Sequence, residues 1–223
     1  MSKLYWYVHQ ELGTAPSQIY QYPVKPVTDV KVCPQTKKLD KRIVEIPAPF
    51  DLLAKRALDG KYIFESNDVN YNNIQNNKPV LLTKPAMKDG DDNIHIAMPY
   101  VFLSDDKNLV GYQMAPNHNS KNIFIDCTFI EGIMPVGAYG RVLDLAINIE
   151  KGGEMQLFKG EALWRFVFTD EVELIHIDPT IKILKYVESV SHITQYNKGV
   201  QNIFKRAAKT YPYKELKNCI ILK

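Results

Sequence analysis

The sequence predicts a mainly β protein, α+β overall, built as a distorted barrel of short strands with one short N-terminal helix and a helical C-terminal extension. Three observations lead there. Between Ile94 and Asp178, short apolar or alternating runs rich in aromatic and β-branched residues are divided by turn residues at the spacing of all-β folds. Ahead of them, Pro16, Pro23, Pro26, Pro34, Pro47 and Pro49 interrupt the chain too often for any long element. Beyond Pro179, apolar residues recur at helical spacing.

Taken in order, Leu4 to Val8 reads as a short strand, the Lys37 to Arg42 charge cluster as a solvated loop, and Arg42 to Ile46 as alternating toward a strand. Phe50, Leu53, Ala54, Ala57 and Leu58 recur at helical spacing, with Asp51 at the start and Asp59-Gly60 at the end, which predicts one short amphipathic helix. Lys61 to Phe64 and Val80 to Thr83 read as strands, separated by the Asn-rich segment Asn67 to Asn77. The predicted core then holds Ile94 to Ala97, Tyr100 to Leu103, Leu109 to Met114, Ile123 to Ile130, Arg141 to Ile149, Met155 to Phe158, Ala162 to Phe168 and Val172 to Ile177. Helical faces follow at Ile181, Leu184, Val187 and Val190 and again at Ile203, Phe204 and Ala207. Cys219 to Leu222 fits an added edge strand. The expected organisation is therefore an irregular Pro-rich region over residues 1–93, a β core over 94–178 and a basic amphipathic extension over 179–223.

A chain of 223 residues with 45% apolar and 24% charged residues has enough apolar side chains for a conventional core and needs no disulfide or metal staple. Its formal net charge of +3, with a pI near 8.6, is too mild to announce nucleic-acid binding. Cys33, Cys127 and Cys219 are odd in number and far apart, which suits reduced thiols better than a disulfide framework. Neither a signal peptide nor an apolar stretch of roughly 20 residues is evident, so the expectation is a cytoplasmic protein with no membrane partner. No cofactor is implied.

The stretch Glu131-Gly132-Ile133-Met134-Pro135-Val136-Gly137-Ala138-Tyr139-Gly140-Arg141-Val142, then Leu145-Ala146-Ile147-Asn148 and Phe158-Lys159-Gly160-Glu161-Ala162, resembles the third signature of dUTPases and the related dCTP deaminases. Met98 to Leu103 and Leu109 to Met114 are similar to the strands that lead into it. The resemblance covers about a third of the chain and implies a β-clip fold, with Gly132 to Gly140 as a β-hairpin; an uncharacterised family of β-clip domains is a second kinship. Another β barrel or a cupin-like sandwich fits the same strand pattern.

The family's chemistry carries over less well. A dUTPase holds a water-orienting carboxylate at the position of Pro135, which has no side-chain acceptor. The sugar-covering Tyr is matched only by Tyr139, shifted by one position. The phosphate-gripping Arg-Ser pair is replaced by Ala115 to Lys121, where Ser120 and Lys121 are the remaining candidates for an anion and a plain polar turn is the alternative.

Other constellations are weaker. His176-Ile177-Asp178 fits two ligands of a facial iron triad, with His192 close behind; an ordinary last strand with Ile175 and Ile177 inward is the simpler explanation. Cys127, amid Phe124, Ile125, Phe129 and Ile130, reads as a packed thiol. Lys198, Lys205, Arg206 and Lys209 with Tyr196, Phe204 and Tyr211 pose phosphate binding with aromatic stacking against a merely solvated helix face.

The leading expectation is a non-enzymatic β-clip protein that acts by assembly or binding, with protein assembly partners. Its family resemblance implies a homo-oligomer, as a trimer. A phage or viral structural or accessory protein is one concrete version of that role; separately, the Asn, Lys, Ile and Tyr usage is a compositional association with AT-rich genomes. One alternative is a degenerate nucleotide-binding or nucleotide-hydrolysing protein using Ser120, Lys121, Tyr139 and Arg141; another is a metal-dependent oxygenase at His176 and Asp178.

Overall fold

Alternation along Ile43–Pro47 (β3), where Val44 and Ile46 are fully buried on either side of half-buried Glu45, shows how a strand turns one face to the core. The computed structural model describes residues 1–9, 25–26, 40–48, 50–66, 81–85, 92–116, 120–140, 142–191 and 200–222. Of the sequence expectations, the Asn67 to Asn77 loop, His192, Tyr196 and Lys198 lie outside the described residues, as does Arg141.

The remaining strands are β1 (Ser2–Val8), β2 (Lys25–Pro26), β4 (Leu52–Arg56), β5 (Tyr62–Glu65), β6 (Leu81–Pro85), β7 (Asp92–Ser104), β8 (Gly111–Met114), β9 (Ile123–Ile130), β10 (Gly132–Met134), β11 (Val142–Leu157), β12 (Ala162–Phe168), β13 (Val172–Asp178) and β14 (Ile220–Ile221). Three helices, α1 (Ile181–Ser191), α2 (Val200–Thr210) and α3 (Tyr213–Leu216), follow β13. One sheet runs β14-β13-β1-β7-β11-β4-β5, with β6 added on β7 and β9 on β11; the second runs β10-β8-β12-β3-β2. The two curl into a mainly β, distorted barrel-like body, as the sequence predicts.

Each sheet turns one face inward. Leu4, Trp6, Tyr100, Phe102, Leu145 and Ile147 of the first meet Val44, Ile46, Trp164, Phe166 and Phe168 of the second. Phe102 and Phe166 pack edge to face at 5.7 Å, as do Phe129 and Trp164 at 4.9 Å, an arrangement that aromatic quadrupoles favour. The opposite face of the first sheet, with Tyr5, Tyr7, Val101, Leu103, Ile175 and Ile177, is covered by the helices through Ile183, Tyr186, Val187, Val190, Tyr211 and Leu216. Three layers result: sheet, sheet and helices.

The sheets run across the expected boundary at residue 94. β1 lies between parallel β13 and antiparallel β7, pairing Leu4 with Leu174 on one side and with Ser104 on the other. Residues near both chain ends therefore complete one sheet.

Two expectations are corrected. Phe50 to Leu58 is not a helix: Leu52–Arg56 is β4, paired to β5 and to β11, with Leu52, Ala54 and Arg56 buried at every second position and Leu58 81% exposed. The helical spacing was real in the letters, but a vacant ladder on β11 satisfies this backbone while burying the alternate set. Gly132 to Gly140 likewise does not fold back as a hairpin. Gly132–Met134 pairs with β8 in the second sheet while Val142–Leu157 belongs to the first, so the stretch crosses from one sheet to the other.

Two pairs of runs that the sequence separates are continuous. β7 passes through Pro99 where its register with β11 shifts between Val142 and Leu143, a place where proline's missing donor is tolerated. β11 passes through Lys151 to Gly153, where its pairing to β9 jumps from Ile149–Cys127 to Glu154–Ile125. Gly152 there has φ +88°, which glycine adopts without strain. The resulting bend lets one edge of β11 pair first with β7 and then with β4. Buried Arg56 holds the bend by donating from Nη1 to the Ile149 carbonyl at 3.1 Å.

Candidate functional site

Ser120 and Lys121 lie just ahead of β9, beside the start of β12. The Ser120 hydroxyl donates to the Ala162 carbonyl at 2.8 Å, and Asn122 donates to the same oxygen at 2.8 Å while accepting from the Phe158 N–H at 2.7 Å. Lys121 presents its Nζ to Glu161 Oε1 at 3.4 Å, and its backbone N–H donates to Oε2. Glu161 thus stands where an external anion was expected, and the lysine is well exposed, so the pair contributes little to stability.

Tyr139 lies elsewhere, in the layer beneath the helices. It is buried, and its hydroxyl donates to the Val190 carbonyl at 3.3 Å. Gly140 N–H donates to Tyr186 Oη at 3.3 Å, and burial drives the Tyr186 phenol far above its ordinary range. The Pro135 carbonyl accepts from Ala138 and Tyr139 N–H at 2.9 and 2.8 Å, which closes a tight turn. Gly137 and Gly140 are needed here for closeness: a Cβ would fall 1.8 Å from Asp106 O or 2.1 Å from a Leu103 methyl.

His176 stacks on Trp6, ring centroids 4.1 Å apart and planes 12° from parallel, and burial lowers its pKa from the ordinary imidazole value. Asp178 is exposed at the end of the strand. Among the described residues no three His, Cys, Asp or Glu side chains gather to hold a metal ion. Cys127 is half-buried, with its Sγ 3.3 Å from both Ile125 O and Glu154 O, and burial pushes its thiol up to about 11. Such a thiol is a poor nucleophile.

Of the basic helix residues, Lys205, Arg206 and Lys209 are exposed on α2, whereas Tyr211 is buried and cannot stack on a base. Tyr211 instead accepts from Ser104 N–H at 2.7 Å and donates to Val136 O at 2.6 Å, and Tyr213 donates to Gly137 O. Those bonds rivet the crossing stretch under the helices. No local signal in the sequence marks them, because donor and acceptor are more than 70 residues apart.

Two surface features bear on binding. Ile123, Ile125 and Ile130 of β9 are exposed, and so are Ile133 of β10 and its cross-strand partner Tyr112 of β8. The first three lie on an edge strand paired only to β11 among the described residues, and β10 is the edge of the other sheet. The second is a groove of about 290 Å³ between α1 and α2, lined by Lys182, Lys185, Ser189, Arg206 and Thr210 over Tyr186, Val190 and Ala207. No helix among the described residues is long and apolar enough to cross a membrane. Protein-family models, curated proteins and solved structures contain no significant match to this chain.

Proposed function

We propose that this protein acts by binding and assembly, as a homo-oligomeric β-clip-type protein that lacks the catalysis of the dUTPases it resembles. The observation that supports this most directly is the set of large apolar side chains exposed on edge strands of both sheets. Ile123, Ile125 and Ile130 on β9 and Ile133 with Tyr112 on the β10–β8 pair are each at least 39% exposed, and only Glu131 separates the two strands in sequence.

Free edges carrying large apolar side chains invite association, and soluble monomers usually blunt them with charge. Asp126, at φ 50°, interrupts the middle of β9, which favours packing of the isoleucine faces over continuous strand addition. The proposed occupant is a second copy of the chain, in a closed ring of three as the family resemblance implies. A particle component or an accessory protein of a phage is the concrete form of such a role.

Light scattering on the purified chain tests the reading. A trimer or other closed oligomer is expected, and Ile125→Lys with Ile133→Lys is expected to reduce it to monomer without unfolding it. A wild-type chain that stays monomeric at every concentration would overturn the proposal.

A further inference from the structure

The groove between α1 and α2 concentrates positive charge in a way that packing alone does not require. Lys182, Lys185 and Ser189 recur at helical spacing along one wall from α1, and Arg206 and Thr210 form the other wall from α2. The floor is the apolar trio Tyr186, Val190 and Ala207, all buried. Three cations line this groove over an apolar floor, and a counter-charge seated among them would gain from all three.

The protein supplies one such counter-charge. Lys182 Nζ lies 2.8 Å from Glu215 Oε1, while Lys185 and Arg206 have no ion-pair partner among the described residues. The hydroxyls are committed inward: Ser189 donates to Tyr186 O at 2.7 Å and Thr210 to Arg206 O at 3.1 Å. The donors that remain for a ligand are thus an ammonium and a guanidinium fork on facing helices, a combination suited to phosphate oxygens. The groove is at the small end of ligand-site volumes, which excludes a bulky ligand.

We propose that this groove is a binding site for a small phosphate-bearing anion, held by Lys185 and Arg206, with Lys182 shared between the ligand and Glu215. It lies in the helical layer, away from the exposed sheet edges, and stands independently of the assembly reading.

Pyrophosphate titrated into the full chain at constant ionic strength provides the test, read as melting temperature. Ligand linkage predicts a saturable, concentration-dependent rise in the wild type. Lys185→Gln with Arg206→Gln, both exposed side chains, should weaken apparent affinity at least about tenfold while leaving the ligand-free melting temperature nearly unchanged. Glu215→Gln, which frees Lys182, should tighten binding severalfold, and it decides the matter should the double variant fail to fold. An equal rise with matched sodium chloride, an unaltered response in the double variant, or weaker binding by Glu215→Gln would overturn the assignment. So would binding of a duplex oligonucleotide with no response to pyrophosphate, which would mark the cations as a face for polyanions instead.

Discussion

The Tyr211 hydroxyl donates to the Val136 carbonyl at 2.6 Å from a side chain that is almost wholly buried, and the same oxygen accepts from Ser104 N–H. One phenol therefore ties the C-terminal helical layer both to β7 and to the crossing between the sheets. Burial keeps it protonated by raising its pKa far beyond the usual phenol range. Tyr211→Phe removes the oxygen and orphans a buried donor and a buried acceptor, so urea unfolding should show a loss of about 2 to 4 kcal/mol. A loss below about 0.5 kcal/mol would show that the two groups find other partners.

Gly137 and Gly132 provide a contrast within the same stretch. A Cβ at Gly137 would lie 1.8 Å from the Asp106 carbonyl oxygen, a backbone atom with nowhere to go, whereas at Gly132 the nearest neighbour is the movable Gln113 Oε1 at 3.5 Å. Gly137→Ala is expected to cost more than about 3 kcal/mol or to prevent folding, and Gly132→Ala to stay within about 1 kcal/mol of wild type. Circular dichroism melts of the two variants side by side check the difference.

His176 predicts an acid-side sensitivity. Burial against Trp6 lowers its folded-state pKa below the ordinary 6.5, so the unfolded chain takes up the proton first as pH falls. Its contribution to stability is complete above that ordinary value and is lost as pH drops through the lower folded value. His176→Phe keeps a ring on Trp6 and removes the titration. The variant should lose less stability than wild type in urea titrations between about pH 7.5 and about pH 5. Equal losses would sink the assignment.

Cys127, with its thiol pushed up to about 11, should be about one part in a thousand thiolate at about pH 8. Iodoacetamide should therefore alkylate it far more slowly in the native chain than in urea, as peptide mass mapping can follow. Fast native alkylation would mean that the strand opens.

Much of the fold was readable because a strand with one buried face must alternate. β9 and β12 fall on the residues expected, Ile123–Ile130 and Ala162–Phe168, and β13 follows the same kind of signal. The α1 face is only partly the expected one: Val187 and Val190 are buried, but Ile183 is buried in place of Ile181, which is 70% exposed, and Leu184 is only half-buried. Turn chemistry was less readable. Gly160 does sit at φ +82°, but Gly137 and Gly140 serve by closeness to β7 and to the loop after it, neighbours that spacing cannot reveal.

The candidate sites were less legible still. Ser120 and Lys121 were singled out for anion binding, yet Glu161 was 40 residues away and gave no hint of meeting them. Lys182 and Lys185 were visible as polar companions of an apolar face, and Arg206 as part of a second; that these faces open onto one groove depends on how α1 and α2 dock.

By itself the sequence determined that the stretch from Ile94 to Asp178 is built of strands and that helices follow Pro179, since those follow from the period of the side chains. Tertiary structure decided that Leu52–Arg56 is a strand, that Gly132 to Gly140 links two sheets, and that Tyr211 reaches Val136. The physical reason is that an unpaired backbone edge and a buried polar atom are satisfied by partners distant in sequence, and their demand outweighs local propensity.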